Sequence, residues 1–393
     1  MSNRLPAKPW DAGAVGVGTE APIAREYPAF EALPEGYEAL FTSKAATDAC
    51  LTRAWFEASA RHLMSPSERL RLIGAELAGA PAALLVGRER DRDPLAFGGR
   101  SFTSLDSLYS LLYAPLIDER LDSTAALAPI CARICEATGG RRPYDVVRLQ
   151  PLDPDSPAFG ALRRGLRANG FAVQTYRQFG NPFEPSRGLN FADYLARRPS
   201  RLRNTIGRAE RSLGRRGRVE FVLETGGPGL EARLAERLAA YQRVYAASWK
   251  ATEPNAAFIA EFAGMLAAGG ALRLGLLLLD GTPVAVQIWV LWQGRAILYK
   301  LAHDRRLDRT SPGSVLTARM IAHMLDAEAA SELDFGPGDD AYKSSWTTQR
   351  RERWGILAFN PKTMHGRLGI LRHIWGRAVK RRLTGFMHAS PPS

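Results

Sequence analysis

Asp339, Asp340, Tyr342 and Lys343 crowd into five residues directly after Gly336-Pro337-Gly338, bringing acids, a hydroxyl and a cation together. Such a set can move protons and stabilise developing negative charge. The run Leu333-Asp334-Phe335 before the break reads as the end of a buried strand. A strand that stops at two glycines lets another molecule approach the backbone, so the polar residues that follow stand at the mouth of a sheet. The same residues also suit an ordinary surface turn, with Asp340 capping a helix and Lys343 paired to Asp339 or Asp340.

A second candidate lies upstream. His303 ends an apolar strand pattern, and Asp304-Arg305-Arg306-Leu307-Asp308-Arg309-Thr310 leads into Ser311-Pro312-Gly313-Ser314-Val315, which has the signature of a helix start. Unpaired amides and the positive helix end at Gly313 would bind phosphate, with Arg309 near. A plain N-cap by Ser311 explains the same residues, and a strand-end His303 bonded to backbone is equally consistent with its position. Trp249-Lys250 closes a helical pattern and could line the acceptor side, although core packing also accounts for the Trp.

The elements that must hold these groups follow from periodicity. Residues 1–42 are rich in Pro, Gly and Ala and read as a flexible leader. A helix is expected over Ala45–Leu63, then strands at Arg69–Glu76, Ala82–Arg88 and Leu108–Leu116. A helix over Ser123–Ala137, a strand over Tyr144–Leu149, a helix over Ser156–Ala168 and a strand over Phe171–Phe179 complete a first unit, 43–185.

A second unit, 186–362, repeats the plan. It opens with a basic helix over Phe191–Leu213, whose stripe Leu202, Ile206, Ala209 and Leu213 is flanked by Arg201, Arg203, Arg208 and Arg211. The strand Val219–Glu224 and two helices follow, then strands joined at Asp280-Gly281 and Gln293-Gly294, a helix from Gly313, the strand Glu332–Phe335 and a last strand Trp354–Phe359. The tail, 363–393, is a basic amphipathic segment that suits either an anionic membrane surface or the protein's own surface.

The net charge of +13 over 393 residues, 46% of them hydrophobic, points to two folded units and an anionic partner. Arginine supplies 46 of the 53 basic residues, which together with abundant alanine reads partly as genomic nucleotide bias and weakens the charge as evidence. Cys50, Cys131 and Cys135 make neither a disulfide framework nor a zinc site, and suit a reducing cytoplasm. Residues 1–20 lack the apolar run of a secretory signal. The window Leu272–Val290 is interrupted by Arg273, Asp280 and Pro283 and reads as two strands and a turn, not a membrane span.

Ser311-Pro312-Gly313-Ser314-Val315-Leu316 followed by Asp334-Phe335-Gly336-Pro337-Gly338-Asp339-Asp340-Ala341-Tyr342-Lys343-Ser344-Ser345-Trp346 resembles the FemAB-like branch of the GNAT acyltransferase superfamily. The resemblance is closest to the CelD-type acetyltransferases of cellulose and exopolysaccharide biosynthesis, and covers roughly residues 190–360. It implies an α/β fold of tandem GNAT-like domains, each a mixed sheet flanked by helices, with the cofactor site kept in the second. By resemblance acyl-CoA is the co-substrate, without a metal, held by Ser311, Gly313, Ser314 and Val315 with Arg309; the usual second glycine of that loop is missing.

Lys343 falls where the peptidoglycan-bridge members keep an oxyanion-stabilising lysine, leaving Tyr342, Asp340 or His303 to move protons. The implied activity is transfer of an acyl, chiefly acetyl, group to an amine or hydroxyl of an envelope or polysaccharide precursor. Fem-type transfer from aminoacyl-tRNA is one alternative, and a non-catalytic nucleic-acid or membrane-binding protein on a GNAT scaffold is another.

Overall fold

The computed structural model describes residues 22–136, 142–226, 230–250 and 252–375. The first half runs β1 (Ile23–Tyr27), α1 (Glu38–Ala45), α2 (Arg53–Leu63), β2 (Glu68–Leu77), β3 (Ala80–Asp93), β4 (Gly99–Ser104), the short β5 (Leu116–Ile117), α3 (Ser123–Cys135), β6 (Val146–Leu152), α4 (Pro157–Ala168) and β7 (Ala172–Pro185). The second half runs α5 (Phe191–Ala196), α6 (Ser200–Gly214), β8 (Val219–Glu224), α7 (Leu230–Ala246), α8 (Ala256–Ala268), β9 (Leu272–Leu279), β10 (Thr282–Trp292), β11 (Arg295–His303), α9 (Pro312–Asp326), β12 (Glu332–Asp334), β13 (Gln349–Phe359) and α10 (Met364–Ile370).

Three tight turns are set by chain chemistry. Ala78-Gly79, Asp280-Gly281 and Gln293-Gly294 all have positive φ at both residues, as two-residue hairpin loops of this hand require. They build two matching antiparallel blocks, β1-β2-β3-β4 and β8-β9-β10-β11. In each block the fourth strand then pairs in parallel with the strand after the next helix, β4 with β6 and β11 with β12. The two halves are therefore one architecture used twice.

The halves trade strands. All strands on the main path join one sheet in the order β1-β2-β3-β4-β6-β13-β7-β12-β11-β10-β9-β8. β13 lies antiparallel between β6 and β7 of the first half, while β7 pairs with β12 of the second. A cut at residue 185 thus crosses a continuous sheet. The core crosses it too: Trp55 of α2 meets Phe258 and Phe262 of α8 edge-on at 5.2 and 4.7 Å, contacts that add to the burial of large apolar surfaces.

Four expectations need correction. The leader is not structureless throughout: Ile23–Tyr27 alternates and pairs with β2 from Ile23↔Glu76 to Tyr27↔Leu72, and its Pro/Gly-rich flanks hid so short a strand. Residues 1–21 lie outside the described residues. The helix expected over Ala45–Leu63 starts only at Arg53: α1 ends at Ala45, Asp48 opens a single 3-10 turn over Ala49–Leu51, and Thr52 caps α2. The apolar run Leu108–Leu116 is a buried loop ending in β5, its backbone satisfied by bonds such as Tyr113 N–H to Pro151 O at 2.7 Å. Pro199, lacking an N–H, splits Phe191–Leu213 into α5 and α6.

Elsewhere α6 buries Leu202, Ile206, Ala209 and Leu213 and leaves its arginines in solvent. Of the basic tail, only the part up to residue 375 is described. Among the described residues no helix is long and apolar enough to cross a membrane.

Candidate active site

β11 and β12 pair only from Arg295↔Glu332 to Ile297↔Asp334. Beyond that, β11 runs on to His303, while the other chain turns away through Gly336 and Gly338, both at positive φ (66° and 101°) that a side chain would strain. The sheet opens into a wedge. A cavity of about 190 Å³ fills it, lined by Leu298–Leu301 of β11, by Phe335, Pro337, Asp340, Tyr342 and Lys343, by Lys250, and by Leu108, Tyr109 and Leu111 from the first half. Three of the chain's seven lysines, Lys250, Lys300 and Lys343, line this one space.

Each lysine is held differently. Lys343 is 4% exposed and donates from Nζ to Pro337 O at 2.6 Å and Gly338 O at 3.2 Å, with Asp340 Oδ2 at 3.4 Å. Burial lowers its pKa from the ordinary value, and the Asp340 carboxylate opposes that shift. Lys300 donates to Glu253 Oε2 at 3.0 Å and lies 4.3 Å from the Tyr109 ring centroid. Burial lowers its pKa too, against the pull of Glu253. Glu253 also accepts from Tyr109 and Tyr241 hydroxyls; burial pushes its carboxyl up, but the Tyr109 bond and the Lys300 charge leave it below its usual value.

Lys250 has no carboxylate within ion-pair distance among the described residues. Its Nζ donates to Leu301 O at 2.7 Å beside the Trp249 and Tyr245 rings. Burial, with repulsion from Lys300 next, brings its pKa from 10.5 down to about 8. The unfolded chain holds the proton up to 10.5, so stability rises with pH between about 8 and 10.5 as the native amine discharges first. Lys250→Met is therefore expected to stabilise the fold by about 1–2 kcal/mol at neutral pH, the full shift less the bond lost at Leu301. Denaturant midpoints measured at rising pH check this: the gain should shrink as pH climbs through that window.

The second space adjoins the first along β11. A cavity of about 290 Å³ is lined by Trp249, His303, Asp308, Ser311, Gly313 and Ser314 at the start of α9. Ser311 takes the left-handed conformation (φ 50°, ψ 50°) and its side chain caps nothing. A Cβ on Gly313 would come within 3.0 Å of His303 Nδ1, so glycine keeps this corner open. His303 Nε2 bonds Asp308 Oδ1 at 2.9 Å and its ring packs on Trp249 at 4.7 Å. Its Nδ1 is buried with no hydrogen-bond partner among the described residues. An open glycine corner, an idle serine hydroxyl and an orphaned ring nitrogen fit a polar group of a phosphorylated donor, though the Ser314 N–H is already bonded to Ser311 O at 3.1 Å.

The predicted residues separate into these two spaces. Lys343, Tyr342, Asp340 and Lys250 line the first; His303, Ser311, Gly313, Ser314 and Trp249 line the second. Trp249 is 51% exposed, so core packing does not explain it. Arg309 is exposed on the preceding turn outside the cavity, and Val315 is buried in the core beneath it. Tyr342 is 43% exposed, and partial burial with Asp340 nearby pushes its phenol above the ordinary value. Lys300, Glu253 and Tyr109 escaped sequence reasoning. The one available signal was a lysine inside the apolar strand Ala296–Ala302 in a chain nearly devoid of lysine.

Residues 200–344 match the family model described as an acetyltransferase (GNAT) domain. No curated protein matches the chain. Among solved structures, FemX is similar over 86% of this chain and 97% of its own, at 12% identity and a TM-score of 0.57. A conserved protein of unknown function from Bacteroides thetaiotaomicron VPI-5482 is similar over 83% of this chain and 98% of its own, at 10% identity and a TM-score of 0.52. At such identities the structural likeness speaks for the fold. With the matched domain in its second half, the chain is an acyltransferase, and its two halves share one architecture.

Proposed function

We propose that this acyltransferase takes its acyl group, acetyl in the first instance, from a coenzyme A thioester and delivers it to an amine or hydroxyl of a cell-envelope or exopolysaccharide component. The observation that carries this is the pairing of the open helix start at Gly313 with the lysine cavity along the same strand. Coenzyme A supplies the activated thioester; Gly313, Ser314 and Ser311 hold its phosphates, with His303 beside them. Lys343, its Nζ fixed by two carbonyls, stabilises the carbonyl oxygen as it becomes an oxyanion. Lys250, partly uncharged near pH 8, takes the proton of the attacking acceptor. Tyr342, whose phenol keeps its proton, returns one to the leaving group.

Calorimetric titration with acetyl-CoA and a long-chain acyl-CoA tests the donor site, in the wild type and in Gly313→Phe. Micromolar binding that the variant loses is the expected result, since the added ring must displace His303. Absence of binding by both thioesters would remove the coenzyme A reading.

A second reading, transfer from an aminoacyl-tRNA, is favoured by one observation. Arg201, Arg203, Arg208, Arg211, Arg215 and Arg216 are all exposed along α6 and just beyond it. The helix is roughly 22 Å long at 1.5 Å per residue, a reach that suits a nucleic-acid backbone. Steeply salt-dependent binding of tRNA, alongside no thioester binding, would select this reading instead.

A further inference from the structure

A third cavity, of about 600 Å³, lies where β6 gives out beside β13, lined by Asp153, Pro154, Asp155, Phe183 and Arg350–Trp354. It shares no lining residue with the lysine cavity or the α9 cavity. The last pairing of β6 with β13 on this side is Leu152↔Trp354, so the stretch Gln349–Arg353 has β7 on one edge and the cavity on the other.

Two of the three arginines around it are held by hydrogen-bonded carboxylates, and the third is not. Arg350 is bonded to Asp339 Oδ1 at 2.7 Å and Glu352 Oε1 at 2.9 Å. Arg351 donates to Asn181, Glu332 and Asp334 at 2.5–3.2 Å and covers the Phe183 ring. Trp354 Nε1–H donates to Glu352 at 3.1 Å. Arg353 is 6% exposed and its Nε is buried without a hydrogen-bond partner among the described residues; its ion pair with Asp153, 3.9 Å from Nη1, is too long for a hydrogen bond.

Burial of a guanidinium this deep without a bonded carboxylate is costly, and buried charges in folded proteins are ordinarily paired. Burial and the neighbouring Arg351 charge disfavour its cationic form more than Asp153 and Asp334 favour it, yet arginine keeps its proton at any working pH. A partner of opposite charge from outside the chain resolves this. We infer that the cavity beside Gln349–Arg353 binds the oxyanion of a small molecule, a phosphate or carboxylate group, on the guanidinium of Arg353.

Asp153 is the group such a ligand would displace. Its side chain is 44% exposed, and its Oδ1 accepts the Asp155 N–H at 3.1 Å, a bond an asparagine oxygen can keep. Full-length protein would be titrated calorimetrically with inorganic phosphate and, separately, with acetate in low-salt buffer. Saturable binding of either anion is expected, and the tighter one identifies the headgroup.

Arg353→Gln should weaken it about tenfold or more, the worth of a charged hydrogen bond. Asp153→Asn should tighten it several-fold, which keeps the test decisive if the Arg353 variant misfolds. Gly313→Phe should leave it unchanged, separating this site from the start of α9. Absence of saturable binding by both anions would overturn the inference, as would binding that Asp153→Asn leaves unaltered or that Gly313→Phe abolishes.

Discussion

Replacing Lys343 with methionine is expected to lower the turnover of acyl transfer roughly 10²–10³-fold, about 3–4 kcal/mol of transition-state stabilisation. The side chain keeps its length and loses its charge. Two of the three protons on Nζ are committed to Pro337 O and Gly338 O, which aims the remaining one and fixes the ammonium without loss of further freedom during reaction. A purely structural lysine would make a different prediction: its loss would slacken the turn and weaken donor and acceptor binding along with turnover. The expected signature is therefore a fall in kcat with the donor's Kd unchanged. Lys343→Cys treated with bromoethylamine restores a cation of similar reach and should recover much of the rate; Cys50 and Cys131 are buried, and the half-buried Cys135 is controlled by treating the wild type alike. Loss of binding equal to the loss of rate would assign Lys343 to structure alone.

Much of the fold was open to reading because it is written locally. Ala78-Gly79, Asp280-Gly281 and Gln293-Gly294 each name their own hairpin, and a helix start such as Ser156-Pro157 carries its cap and first residue beside each other. What was hidden depends on distant partners. Nothing near Trp354 announces that it will sit beside Leu152, some two hundred residues earlier, so the exchange of β7 and β13 between halves had no local signal. The loop around Tyr109 looked like a strand because burial demands apolar residues whatever the backbone does. Its true role, carrying Tyr109 into the second half's cavity, is fixed by Glu253 from another element. Lys343 and Gly313 could be read as cavity-lining positions because each stands just past a break in the chain, a signal written in the local sequence. Lys300 was missed because alternation along a strand tells which residues share a face and not what stands opposite.

The turn that carries Lys343 is itself held from beneath, and breaking that support is expected to cost about 3–5 kcal/mol of stability. Arg198, with a side chain 2% exposed, donates from Nη2 to Glu184 Oε1 at 2.5 Å and from Nη1 to Trp346 O at 3.0 Å. Tyr194 adds a hydroxyl bond to the same Trp346 carbonyl at 2.7 Å. The other oxygen of Glu184 accepts from the Thr348 N–H at 2.7 Å and hydroxyl at 2.6 Å. One carboxylate on β7 thus anchors both the link between α5 and α6 and the chain just past Lys343. Glu184→Ala leaves the Arg198 charge buried without its counter-ion and two Thr348 donors unmet, which is the costly way to break such a pair. Glu184→Leu combined with Arg198→Met removes the charge along with its partner and should return a large part of the loss. Denaturant unfolding of the single and double variants measures the difference; equal destabilisation by both would mean that packing, not the stranded charge, sets the cost. Where the single variant still folds, its turnover should fall as well, because Lys343 stabilises an oxyanion only while Trp346 and Thr348 hold its turn in register with β11.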